Sequence, residues 1–445
     1  MKKFLRTLGL FVLLAIGGIA IVIMIAGRDI PPPDTSDLIP EKIELAPEQN
    51  AYTYFVSATN QLYWPTNDSV VYDYLDGKLV DEGMIQEILS RNTNMLDTIE
   101  RGLARKRCCT PEIIGFGALL PMSYLSSWRK TGRVMALKSR HERLTGNHAD
   151  ATDTCISLLQ FSNMIQSDAE SLVNYLMGVA ILRFGLMQAQ DLAYDKDTHA
   201  EDLRRLSKAL TALGPFDRGL IRATKVEYRC DAKIIDQLQD GKLSMNDPYA
   251  FGGEKTMPVS KYRRIQVFLL QPNKTKLAFA NFYRNTIKNT SLPYADMNHC
   301  DVKEALHLEI TCNKRIPQLN ATGKWMFYTL IPAVSRVLDR KCEDECVVAA
   351  TRILVACNAY RKEEGKLPAD LQALVPKYLP AIPTDPYDGK PFRYVPAKAI
   401  VYSVGKDLKD SGGSSKVPEV NKADSPAKRL WEAEDVVFGI NGRIE

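Results

Sequence analysis

Apolar and polar positions divide the chain into stretches of different rhythm. MKKFLR carries Lys2, Lys3 and Arg6 and opens onto an uncharged, mostly apolar run from Thr7 to Gly27. About 21 residues at ~1.5 Å each reach roughly 31 Å, enough to cross a hydrocarbon layer of about 30 Å. A cleaved secretory signal has a shorter apolar region, of about 7–15 residues, before a small-x-small site. Ile25-Ala26-Gly27 matches that site poorly, so residues 1–28 are predicted to be an uncleaved transmembrane anchor. The positive flank stays on the cytoplasmic side of a bacterial inner membrane, which places everything after Arg28 outside the cytoplasm. No later run is expected to span.

Residues 29–48 contain Pro31-Pro32-Pro33 and favour an extended polyproline conformation, which predicts a semi-rigid extracytoplasmic stalk. Over residues 49–324 the apolar positions recur mainly at three- and four-residue steps, as at Ile85, Ile88, Leu89, Met95, Leu96, Ile99 and Leu103. One buried stripe per helix follows from that period. Thr145-Gly146-Asn147 and Gly214-Pro215 read as helix stops, the first as the turn of a helical hairpin of tetratricopeptide type. A 34-residue period does not extend along the rest of the chain, which favours an irregular bundle or short superhelix over a regular solenoid. Asn273 is expected to cap the helix that follows it.

Residues 325–445 begin with an expected single helix from Ala333 to Arg361, with Val347, Ala350, Leu354, Cys357 and Tyr360 on one face. Rhythm then changes: a Pro-rich stretch and the turn pair Asp388-Gly389 precede aromatic and β-branched residues that favour short antiparallel strands. The predicted fold class is therefore mainly α, with a small α+β module at the C-terminal end.

Composition narrows function more than it defines it. The 445 residues carry 58 basic and 53 acidic side chains, a net charge of +5 too evenly matched for a nucleic-acid-binding face. Nine cysteines at irregular spacing do not form a disulfide framework, and Cys155 and Cys357 fall in apolar helical stretches as core residues. GxSxG, HExxH and Walker signatures are absent from the sequence. Asp410-Ser411-Gly412-Gly413 is superficially similar to the nucleophile segment of trypsin-like proteases, but those enzymes are double β-barrels. His299, Cys300, His307 and Cys312 have zinc-ligand chemistry at spacings that fit no standard site, and Cys342 with Cys346 lacks a second ligand pair. Arg101, Arg105, Lys106 and Arg107 form a basic run beside Cys108-Cys109, expected to be a solvated helix end.

The stretch from Val347 onward resembles the globular part of the major pseudopilins of type II secretion. The residues that carry this are Tyr360, Gly365 and Pro368; Asp385-Pro386-Tyr387-Asp388-Gly389-Lys390-Pro391-Phe392-Arg393-Tyr394; Tyr402-Ser403-Val404-Gly405-Lys406-Asp407; Gly412-Gly413; and Glu434-Asp435-Val436-Val437. The resemblance implies a helix packed on a short sheet and a calcium-binding loop, with Asp407, Asp410, Glu434 and Asp435 as the carboxylates. Calcium takes six to eight oxygen ligands. The glutamate that pseudopilins carry in their apolar helix is missing from MKKFLRTLGLFVLL, which implies a borrowed module rather than a pilus subunit. The layout as a whole resembles membrane-anchored proteins of bacterial envelopes. The expected function is a non-catalytic binding or scaffolding role with envelope proteins as partners; the alternatives are an envelope hydrolase with its site in the helical body, or a secretion accessory factor.

Overall fold

In the computed structural model, residues 17–18, 27–111, 123–214, 216–243, 270–298, 320–417 and 426–444 are described. Most of them are helical. Four short helices come first: α1 (Ala51–Thr59), α2 (Ser69–Leu75), α3 (Glu82–Arg91) and α4 (Thr93–Leu103). Longer ones follow: α5 (Ser123–Leu144), α6 (His148–Ser167), α7 (Leu172–Tyr194), α8 (Ala200–Thr211), α9 (Phe216–Gln239), α10 (Pro272–Thr290), α11 (Ala321–Ser335) and α12 (Val337–Glu364). The C-terminal module adds β1 (Arg393–Val395), β2 (Ile400–Ser403), α13 (Pro426–Glu432) and β3 (Val436–Gly439).

The helical hairpin forms where the turn residues place it. Gly146 takes φ +86°, a conformation that glycine adopts without penalty, and α6 folds back along α5. Ser139 on α5 then donates to the Ala151 carbonyl on α6. Trp128, Phe55 and Phe161 fill the space between this hairpin and the first helices, with the two phenylalanine rings edge-on at 4.7 Å. A second cluster joins α7, α9, α10 and α11 around Phe279, Tyr283 and Phe327. Helix α9 approaches α6 so closely that a Cβ on Gly219 would lie 1.9 Å from the Gln166 carbonyl oxygen. Only glycine fits there.

Helix α7 is long and apolar enough to cross a membrane by composition, contrary to the expectation of no later candidate. Much of its apolar surface is packed in the body, with Ile181, Leu182, Leu186 and Leu192 all buried, while Val173, Leu176 and Met187 are exposed.

The third cluster joins the C-terminal module to the helical body. Leu159, Leu186 and Leu206 of the helical body, Ile353, Leu354 and Val355 of α12, and Leu374, Val401 and Val436 of the module belong to one continuous core. Helix α12 was expected to bury one stripe. It buries residues all round because VVAATRILVACNA is apolar on every face, and body and module cover opposite demands of the same helix. The expected continuous helix from Ala333 is in fact interrupted at Arg336, where α11 ends and α12 begins. At the other end Gly365, with φ +72°, ends α12 in the left-handed conformation.

The sheet has the order β1-β2-β3 and is antiparallel throughout, with Tyr394 opposite Val401 and Val401 opposite Phe438. Asp388-Gly389 closes a separate tight loop: the Asp385 amide donates to Lys390 and the Phe392 amide to Pro383.

Residues 28–41 do not stand free as a spacer. Leu38 is buried in the second cluster, Arg284 of α10 pairs with Asp37 at 2.7 Å, and Arg222 of α9 donates to the Glu41 carbonyl. Asp29 accepts the backbone N–H groups of Asn273 at 2.7 Å and Lys274 at 3.0 Å, so it caps α10 from the far end of the sequence. Asn273 itself lies inside the first turn, not at the cap.

Candidate functional site

The four carboxylates named from the sequence sit at the β3 end of the module. Asp435 is fully buried and accepts N–H groups from Ser411 at 3.3 Å, Gly413 at 2.8 Å and Ser414 at 3.0 Å. Glu434 accepts from the Ser414 hydroxyl at 2.6 Å. Asp410 accepts from the Gly412 amide and the Tyr402 hydroxyl, each at 3.0 Å, and from Arg393 at 3.2 Å. The Gly412 amide is the largest influence holding the Asp410 carboxyl below its usual range. Asp407 is exposed and accepts the Lys409 amide at 3.0 Å.

Three of the four thus share the loop 410–414, but their oxygens face N–H and O–H donors. Calcium at this loop requires replacing those bonds, and Arg393 already brings a positive charge to Asp410.

Arg393 is the centre of a carboxylate network. It pairs with Asp385 at 2.9 Å, with Asp388, and with Asp410. Asp385 is fully buried and also accepts from Ser403 at 2.7 Å and from the amides of Tyr387 and Val404, each at 3.0 Å. Burial raises its carboxyl against the pull of those donors. Each oxygen of Asp385 is satisfied.

Among the described residues, one group with metal-ligand chemistry comes together: His148, Asp195 and Asp197, whose ligand atoms all lie within 4.8 Å of one another. Asp195 already holds Arg143 at 3.0 Å and the Asp197 amide at 2.9 Å, which leaves limited room for a cation. His299, Cys300, His307 and Cys312 lie outside the described residues. Cys108, Cys109, Cys155, Cys342, Cys346 and Cys357 are buried and form no disulfide. Burial pushes Cys109 up to about 11 and Cys342 and Cys357 up to about 12, so these thiols are poor nucleophiles and poor ligands. Of the basic run, Arg107 is not solvated: it grips the buried Asp168 through two bonds, at 2.7 and 3.0 Å, and Arg218 joins it.

A concavity lined by described residues lies where body meets module. It has a volume of about 520 Å³ and is walled by the start of α9 (Phe216, Asp217), the segment 291–293 after α10, one stripe of α12 and residues 381–386. Its walls are fixed: the amides of Tyr294 and Ala295 donate to the carbonyls of Pro386 and Tyr387 at 2.9 and 2.8 Å. The α12 stripe carries Lys341, Glu345, Val348, Ala349 and Arg352, at the spacing that stacks side chains on one helix face. Lys341 is buried and shared between Glu345 at 2.8 Å and Asp217 at 3.1 Å. Arg352 has no hydrogen bond or ion pair among the described residues, and its Nε is buried without a partner. Desolvation alone acts on it and draws its pKa below the ordinary arginine value.

Sequence reasoning missed Arg352, although a signal was present. Its helical neighbours three and four residues away are Val348, Ala349, Val355 and Ala356, so no acid on its own helix can reach it.

No family model, curated protein or solved structure matches the chain.

Proposed function

We propose that the protein is a single-pass inner-membrane protein, anchored through residues 7–27, whose extracytoplasmic body binds a ligand in the cleft between helical body and C-terminal module without turning it over. The observation that carries the binding reading is the cleft itself: a preformed hollow of about 520 Å³, in which charged and polar groups stand beside apolar walls, has the size and mixed lining of a small-ligand site. Its walls come from four separate stretches of chain, braced on a common core. Lys341, Glu345 and Asp217 are occupied with one another and Asp385 with Arg393, so these groups position the walls instead of standing ready to exchange protons with a substrate. The anchor reading is supported by the positive flank and the length of the apolar run. The envelope partner and the pseudopilin-like character of the module remain part of the proposal, supported by the helix-on-sheet packing of α12 against β2.

A thermal-shift screen of short peptides and small acids on the full chain in detergent tests this. Run beside Ile382→Trp, whose indole fills the cleft, it is expected to return stabilising ligands that lose their effect in the variant. Ligands indifferent to the filled cleft would move the site elsewhere.

A further inference from the structure

Arg352 sets the chemistry of the cleft. A half-buried guanidinium without a counterion is an unfavourable arrangement: its Nε–H has lost water and gained no acceptor in return. Arginine cannot relieve that by releasing its proton. The remaining relief is an anion supplied from outside.

Charge bookkeeping in the cleft narrows which anion. Lys341 offers one positive charge to two carboxylates, Asp217 and Glu345, which leaves that trio with an excess of one negative charge. Asp385 shares Arg393 with Asp388 and Asp410, so those acids also outnumber their cation. The one unpaired positive charge in the cleft is Arg352, and the other charges around the cleft sum to negative. A doubly charged phosphate meets that repulsion twice and is satisfied once. A singly charged carboxylate suits the site, and its two oxygens match the planar fork of a guanidinium. The rest of the lining, including Phe216, Leu292, Val348 and Ile382, accepts an apolar group.

We propose that Arg352 receives the carboxylate of an acid bearing an apolar group, held between Phe216, Leu292 and Ile382. This rests on the cleft being the ligand site. Two sources offer the same chemistry, the C-terminus of a peptide ending in apolar residues and a free medium-chain fatty acid.

The test uses the full chain in detergent with matched probes: acetyl-Ala-Leu-Leu as the acid and as the amide, and octanoate against octanol, each titrated by calorimetry. At least one acid is expected to bind about 10- to 100-fold more tightly than its neutral counterpart, the worth of hydrogen bonds to a charged group. The pair that shows the preference identifies the source. Arg352→Gln is expected to abolish the preference and Arg352→Lys to restore part of it. Equal binding of acid and neutral probe, no binding of either acid, or a preference that survives Arg352→Gln overturns the assignment. If Ile382→Trp still abolishes binding of the neutral probes, the cleft stands as a site and only the carboxylate falls; binding that survives Ile382→Trp takes down both. An independent readout needs no ligand: Arg352→Met is expected to raise the Tm of the unliganded chain, whereas a fall shows that Arg352 has an internal partner and refutes the proposal.

Discussion

Arg393 and Arg352 frame the same few residues around Asp385 and are treated in opposite ways. Arg393 meets three carboxylates, one of them fully buried, and every contact is internal to the module. Arg352 lines the neighbouring cleft and meets none among the described residues. The first charge holds the fold together. The second costs the fold stability and is explained by something the chain does not itself contain. A third buried charge site makes the contrast sharper. Asp231 on α9 is buried without a cation and is pushed up to about 8 by desolvation, accepting the Tyr283 hydroxyl at 2.6 Å. A carboxylate in that position escapes by taking up a proton, which a guanidinium cannot do by losing one.

The largest test of this comparison is Arg393→Met. It leaves Asp385 buried and uncompensated and is expected to cost about 3–5 kcal/mol in chemical denaturation. A loss below ~1 kcal/mol would mean that the amides and Ser403 suffice, and that Arg393 does not hold the module together. Next comes the wall of the cleft. Gly219→Ala drives a methyl group into the Gln166 carbonyl, displaces the start of α9 and is expected to cost about 1–3 kcal/mol together with ligand affinity. An alanine tolerated without change in melting would show that α9 can shift freely, and with it Phe216 and Asp217.

Asp231 gives a pH signature. Its folded pKa lies above the unfolded value of 3.8, so the native state binds the extra proton between about pH 4 and 8. Its contribution to stability is therefore present at the acid end and is lost as pH rises to about 8, at no more than ~1.4 kcal/mol per pH unit. Denaturation across that window should lose this slope in Asp231→Asn; an unaltered slope would place the titration on another group. The smallest expected effect is calcium. Because the oxygens of Asp410, Glu434 and Asp435 face internal donors, Tm in calcium and in chelator should agree. A calcium-dependent rise that Asp407→Ala with Asp410→Ala removes would show that the loop 410–414 rearranges around the ion, as the pseudopilin resemblance implies.

What could be read from sequence is what depends on neighbours within a few residues. Helical spacing marks the hairpin of α5 and α6, Thr145-Gly146-Asn147 marks its turn, and Asp388-Gly389 marks a tight loop, because torsional preference and side-chain period act locally. The expected stalk failed because proline reports stiffness and not whether Asp29, Asp37 and Leu38 find partners on α9 and α10. The joint core of body and module was not legible because a largely apolar helix can be shared by two regions, and the sequence does not say by which. The cleft was hidden for the same reason: its four walls are far apart along the chain. Its one unusual residue was in view throughout, a lone arginine in an apolar run.

The hold that Arg28, Asp29 and Ile30 exert on α10 has a mechanical side. Gln271 and Asn273 reach back to the carbonyls of Arg28 and Ile30, at 2.9 and 2.8 Å, while Asp29 clasps two amides of the helix. These four bonds fall within three residues of the chain, directly after the apolar run. Such a joint has little slack: a pull or twist entering at Gly27 passes straight into α10 and the aromatic cluster behind it. Residues 28–30 and α10 therefore move as one, and the mouth of the cleft keeps a fixed bearing to the point where this strand joins the body.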